Sequence, residues 1–126
     1  MKTVEIGALG EKLAAKFLKK NGYKILAKNV HISHNEIDVI AKNKEFIVFV
    51  EIKTRSTDEL LQTDFGTPAS AVTQGKQKRT VSAARGYLST SKYSKLQPRF
   101  DVIEVYLHKD THDILKINHI INAFGA

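Results

Sequence analysis

The sequence predicts an α/β domain: a mixed five-stranded sheet flanked by helices, in the order α-β-β-β-α-β-β. Three observations lead there. Apolar residues recur at helical spacing at the head of the chain, three apolar runs then follow with only turn-sized polar links, and a second helical stretch precedes two more apolar runs. Links that short cannot carry parallel crossovers, so the first three strands must include antiparallel pairs and the sheet is mixed. At 126 residues, 42% of them hydrophobic, the chain has the size and apolar content of a single domain with one core, and 1–126 is read as that domain.

Residues 4–21 read as the first helix. Ile6, Leu9, Leu13, Phe17 and Leu18 form its apolar stripe, and Lys12, Lys16, Lys19 and Lys20 lie mostly off it. The "NG" at 21–22 ends it, because glycine suits the left-handed position after a helix. "YKILAKNVHI" (23–32), "EIDVIA" (36–41) and "FIVFVEIKT" (46–54) are the first three strands, the last two joined by the polar turn "KNKE". Residues 56–67 carry no clear period and read as a mobile loop, with a short turn expected from Pro68. A second helix begins at Thr73 as N-cap and runs to Leu88 or Ser91. "FDVIEVYL" (100–107) and "ILKINHIINAF" (114–124) complete the strands.

Composition narrows the function classes. Without cysteine the chain has neither disulfides nor thiolate metal sites. No apolar run is long enough to span a bilayer, and "MKTVEIGALG" lacks the apolar centre of a signal peptide, so a soluble cytoplasmic protein with no membrane partner is expected. Twenty Lys and Arg against thirteen Asp and Glu give a formal net charge of +7, which suits a polyanionic partner as well as simple solubility. The densest basic segment is "KQKR" at 76–79, with Arg85 beyond it.

The hairpin 36–54 holds the candidate site. Side chains alternate faces along a strand. Glu51, Lys53 and Arg55 therefore share one face of the third strand, and Val48, Val50 and Ile52 the other. In the second strand Ile37 and Val39 should look into the core, and Glu36 and Asp38 away from it. A four-residue turn sets Asp38 opposite Glu51 and Glu36 opposite Lys53. Two adjacent carboxylates repel and call for a cation, either Lys53 or a divalent metal. Mg²⁺ commonly takes one or two protein carboxylates, keeps several waters and leaves room for substrate phosphate. A plain solvated hairpin face remains the alternative on spacing alone.

"NEIDVIAKN" followed by "FIVFVEIKTR" resembles the PD-(D/E)xK nuclease motif, an acid on one strand and acid-x-Lys on the next. With "GALGEKLAAKFLKKNGYKIL", "FGTPASAVTQGKQKR" and "PRFDVIEV", the chain resembles the YraN family from Gly7 to about Val105. That family is similar to archaeal Holliday junction resolvases, and the resemblance implies a restriction-endonuclease-like fold. It also implies a Mg²⁺- or Mn²⁺-dependent endonuclease acting on DNA, branched DNA included. By analogy with the resolvases a homodimer is implied as well. Carried onto this chain, Asp38 and Glu51 match the metal-binding acids, Lys53 the motif lysine, and Glu11 the first-helix acid; the main-chain carbonyl of Ile52 is a further oxygen ligand. Asn35 stands where the family usually has Gly, and the literal "PD" pair is missing.

On this reading Asp38, Glu51 and Lys53 are catalytic. A metal on the two acids activates water and polarises phosphate, and a second ion about 3.5–4 Å away would be shared with Glu11. Lys53 orients phosphate rather than acting as a base, since neighbouring acids favour its charged form. Arg55 suits a second phosphate. Lys76, Lys78, Arg79 and Arg85, outside the acidic cluster, would make the second helix a docking element for the nucleic-acid backbone. Asp101 is read as structural and paired with Arg99, and the five histidines as non-ligands. Phe65 is the aromatic best placed to stack on a base. Three roles remain: a metal-dependent endonuclease, a nucleic-acid-binding module that does not cut, and an interaction protein with a vestigial site.

Overall fold

The computed structural model describes residues 3–58, 72–93 and 95–125. The elements are α1 (Thr3–Lys20), β1 (Lys24–Ile32), β2 (Asn35–Lys42), β3 (Phe46–Thr57), α2 (Gln74–Ser89), β4 (Gln97–His108) and β5 (Ile114–Phe124), in the predicted order. They form one five-stranded sheet in which sequence order is also spatial order. β3 and β4 are parallel and every other neighbouring pair is antiparallel. The sheet is therefore mixed, and its parallel step is the connection that contains α2.

The helices lie on opposite faces. Ala14 and Leu18 of α1 pack on Val39, Ala41, Val48, Val50, Ile52, Ile103, Val105 and Leu107. Val81, Ala83 and Ala84 of α2 pack on Ile37, Ile40, Ile47, Phe49 and Phe100. Covered on both faces, β3 needs an unbroken apolar run, and Ile47, Val48, Phe49 and Val50 are all fully buried. Helix ends follow their local chemistry. Gly22 takes φ +90°, Tyr23 N–H reaches Leu18 C=O and Gly22 N–H reaches Lys19 C=O, the paired bonds of a Schellman stop. Thr73 has extended backbone, and its side chain accepts from Lys76 N–H, the expected N-cap.

Two expectations need correction. β3 does not end at residue 54: Ser56 and Thr57 continue it, paired with Leu107 and His108. Residues 59–67 of the expected loop, Phe65 among them, and the turn at Pro68 lie outside the described residues. The second correction concerns alternation. Ile37 packs on the α2 side, yet Val39, two residues on, packs on the α1 side. The faces exchange between them, at Asp38. Across the ladder, Lys28 pairs with Val39 and Val30 with Ile37, so Asn29 lies opposite Asp38, and Asn29 has φ 50°. A left-handed residue breaks the pleat, and asparagine tolerates that conformation better than most.

Candidate active site

The register of β2 and β3 pairs Val39 with Val50 and Ile40 with Phe49, so one step further Asp38 meets Glu51. Beyond Val39, Asp38 engages β3 through its side chain: Oδ2 accepts from Ile52 N–H at 2.8 Å. A carboxylate thus replaces a main-chain partner where the two strands part. The even turn that sets this register is tightened by Asn43, whose Oδ1 accepts from Glu45 N–H and Phe46 N–H at 2.9 and 2.8 Å.

Glu51 is buried on β3, with 10% of its side chain exposed, and both its oxygens face ammonium groups. Lys53 Nζ is 3.6 Å from Oε1, and Lys76 Nζ is 3.8 Å from Oε2. Lys76 also donates to the main-chain carbonyl of Glu36 at 3.3 Å. Burial raises the Glu51 pKa, the neighbouring Asp38 charge raises it further, and Lys76 and Lys53 oppose both. Burial likewise raises Asp38, against the Ile52 hydrogen bond and Lys76, with Glu36 adding to the rise. Glu11 on α1 is raised by burial and by Asp38 and Glu36, while a hydrogen bond from Asn29 acts to lower it. These couplings bring Glu11, Glu36, Asp38 and Glu51 into one electrostatic neighbourhood drawn from α1, β2 and β3.

α1 can lie this close because residue 10 is glycine: a Cβ there would collide with the Thr54 side chain on β3. Beside the contact a cavity of about 450 Å³ is lined by Ile6, Gly7, Glu11, Ile52, Lys53, Thr54 and Ser56. Among the described residues, no three or more His, Asp or Glu converge as a metal-holding group. What the geometry offers a divalent ion is a carboxylate pair on one side and this cavity, with Glu11 and Ile52, beside it.

The basic residues divide. Lys76, expected outside the acidic cluster, belongs to it. Arg55 lies 3.7 Å from the buried Glu104 of β4, which also accepts from Asn118 Nδ2 at 3.2 Å and Tyr106 OH at 3.3 Å. Lys78, Arg79 and Arg85 are exposed on α2. At 3.6 residues per turn, Lys78 and Arg85 project about 180–200° around the helix from Lys76. They line, with Gln74, Gln77, Val81, Ser82 and Gly125, a groove of about 540 Å³.

Glu104 and His119 were missed in the sequence. An acid inside the apolar run "FDVIEVYL" was the available signal for Glu104, since a buried charge needs partners. His119 had no such signal. Its Nε2 lies 2.7 Å from Asp101 Oδ2, in a network where Arg99 donates from Nε and Nη2 at 2.9 and 2.8 Å and Asn122 N–H at 2.9 Å. Arg99 also donates to Tyr23 OH at 2.6 Å. The structural pairing expected for Asp101 and Arg99 is therefore present.

Fold and site together define an α/β domain with a desolvated, lysine-flanked carboxylate pair where β2 and β3 diverge. The family model described as "Uncharacterised protein family UPF0102" matches residues 10–105, and the chain belongs to that family. A UPF0102 protein of Caldanaerobacter subterraneus subsp. tengcongensis is 48% identical over 119 residues, 94% of this chain and 93% of the relative. One from Clostridium perfringens is 45% identical over 119 residues, with the same two coverages, 94% and 93%. One from Dictyoglomus thermophilum is 40% identical over 124 residues, 98% of this chain and all of the relative. No helix among the described residues is long and apolar enough to cross a membrane.

Proposed function

We propose that the chain is a Mg²⁺- or Mn²⁺-dependent DNA endonuclease that hydrolyses phosphodiester bonds at the Asp38–Glu51 pair. The observation that carries this reading is the pair itself. Two acids are held together and out of water, at a free-energy penalty, with ammonium groups on one of them and an open cavity alongside. Acids whose burial and neighbouring negative charge both disfavour ionisation are a recurrent mark of functional sites.

The donor set suits a hard divalent cation, which accepts one or two carboxylates and fills its remaining positions with carbonyl oxygen and water. Asp38, Glu51 and the Ile52 carbonyl would hold it, with Glu11 across the cavity. Such an ion supplies Lewis-acid stabilisation of phosphate charge and an activated water. The chain's own residues do the rest. The Ile52 N–H fixes Asp38 through Oδ2. Lys53, two residues along the strand from Glu51 and among the residues lining the cavity, neutralises charge on a phosphate oxygen. Arg55, held by Glu104, stands one step further along the same strand face for an adjacent phosphate. The exposed Lys78, Arg79 and Arg85 add sequence-independent affinity for the backbone.

A second reading, a nucleic-acid-binding domain that does not cut, draws on one observation: the absence, among the described residues, of a cluster of three or more potential metal ligands. One assay separates the two. Linear, flapped and four-way DNA are incubated with Mg²⁺ or Mn²⁺, with Asp38→Ala/Glu51→Ala protein as control. Metal-dependent cleavage lost in the control supports the nuclease. Binding without cleavage supports the second reading. Equal cleavage by both proteins removes the site from the reaction.

A further inference from the structure

Lys76 was expected to track DNA, yet it reaches 40 residues back along the chain to the Glu36 carbonyl and lies against Glu51. Its contacts there are loose. The 3.8 Å approach to Oε2 is an ion pair without hydrogen-bond geometry, and the hydrogen bond from its ammonium to the Glu36 carbonyl, at 3.3 Å, is long. Lys53, the other cation on Glu51, is tied to it by a two-residue separation on one strand. Lys76 instead stands on α2, on a flexible four-carbon stem with 28% of the side chain exposed. Its helix is anchored independently of that ammonium, by the Thr73 cap and by packing of Val81, Ala83 and Ala84.

We propose that Lys76 is the resident counter-cation of the carboxylate pair and gives way to the divalent ion, after which its ammonium serves a backbone phosphate oxygen of bound nucleic acid; this rests on the metal-dependent reading above. A hard ion sits about 2.0–2.6 Å from a carboxylate oxygen. With both Glu51 oxygens already facing ammonium, a doubly charged ion on either one meets a like charge a few ångströms away. The group able to leave is the one on the longer contact and the other element. Neutralised acids explain how the pair is tolerated in the folded chain without metal. A released lysine beside the site explains why α2 carries a half-buried cation in its first turn, while Lys78, Arg79 and Arg85 are exposed. The exchange moves no proton and breaks no covalent bond.

Mn²⁺ affinity, read from the electron paramagnetic resonance signal of free Mn²⁺, tests this without reference to cleavage. Wild type, Lys76→Met, Lys78→Met and Glu51→Gln are titrated, each first shown to melt cooperatively; Lys76→Gln replaces Lys76→Met if the latter is unstable. The expected result is Mn²⁺ binding that Glu51→Gln loses, that Lys76→Met tightens by about tenfold, and that Lys78→Met leaves unchanged. Equal or weaker binding by Lys76→Met overturns the exchange and leaves the metal site standing. An equal gain in Lys78→Met also overturns it, as an effect of net charge alone. If neither wild type nor Lys76→Met binds Mn²⁺, the metal-dependent reading itself fails, and the exchange with it.

Discussion

Asp101→Asn tests the network that ties β4 to β5 and to the start of β1. Asp101 is fully buried and accepts from Arg99 Nε, Arg99 Nη2, His119 Nε2 and Asn122 N–H. Asparagine keeps one carbonyl oxygen, enough for Asn122 N–H, and turns an amide N–H₂ toward the remaining donors. The Arg99 guanidinium, with 9% of its side chain exposed, then lacks its carboxylate. Removing one partner of a buried pair costs about 3–5 kcal/mol. Arg99 keeps its bond to Tyr23 OH and its seat over the Phe46 ring at 4.8 Å, which places the expected loss near the lower end, about 3 kcal/mol. For 126 residues the unfolding entropy is about 0.26 kcal/mol/K, so Tm falls by about 12 °C. Urea denaturation and thermal melting measure both. A cycle with Arg99→Met isolates the pair and should give a coupling of at least about 1.5 kcal/mol. A loss below about 1 kcal/mol, or no coupling, refutes the view that this network holds the strands together.

Gly10→Ala should destabilise by about 1–2 kcal/mol even though alanine favours helix, because the new methyl strikes Thr54; Thr54→Ala should recover only part of the loss in urea denaturation, since the residue-54 Cβ stays 2.8 Å away, and a stabilised single variant would refute the close contact. Lys78→Ala/Arg85→Ala should weaken DNA binding and flatten the slope of log affinity against log salt by up to about 2, with little dependence on sequence; unchanged slopes would remove this face of α2 from the interface. In chelator, burial raises the Asp38 and Glu51 pKa values above their ordinary 3.8 and 4.5, so both acids bind protons more tightly folded than unfolded. Their contribution is full below about pH 4 and is lost as pH rises through the raised values. Melting across pH 4–7 should therefore show a steeper fall for wild type than for Asp38→Asn/Glu51→Gln, and identical profiles would contradict the shifts.

Much of this was legible because it is local or periodic. The apolar run of β3 declares a central strand, "NG" stops α1, and Thr73 caps α2. The even turn also suffices to set Asp38 beside Glu51, although it falls one residue later than "KNKE": Lys42 pairs with Ile47, leaving 43–46 between them. What escaped depends on groups distant in sequence. The exchange of faces at Asp38 is imposed jointly with Asn29 on another strand, and a period-two reading of β2 alone cannot register it. Lys76 looked like one cation of a basic run; only the packing of α2 on the sheet turns it toward Glu51. Arg55 likewise acquires Glu104 only through the parallel pairing of β3 with β4.

The exchange of faces at Asn29 and Asp38 has a genetic consequence. Below it the β1–β2 hairpin feeds both layers, Ile25, Val39 and Ala41 on the α1 side and Leu26, Ala27 and Ile40 on the α2 side; beyond it Val30, Ile32 and Ile37 all lie on the α2 side. A Cβ on Gly86 of α2 would come within 3.1 Å of Ile32 Cγ2. One hairpin therefore answers to two selective neighbourhoods on one side of that rung and to a single one on the other. Second-site suppressors of an enlarged Ile32 should arise around Gly86 and Tyr87. Those of an enlarged Ala41 should arise around Ala14 and Leu18. Suppressors that crossed from one group to the other would mean that the two layers are not separately packed.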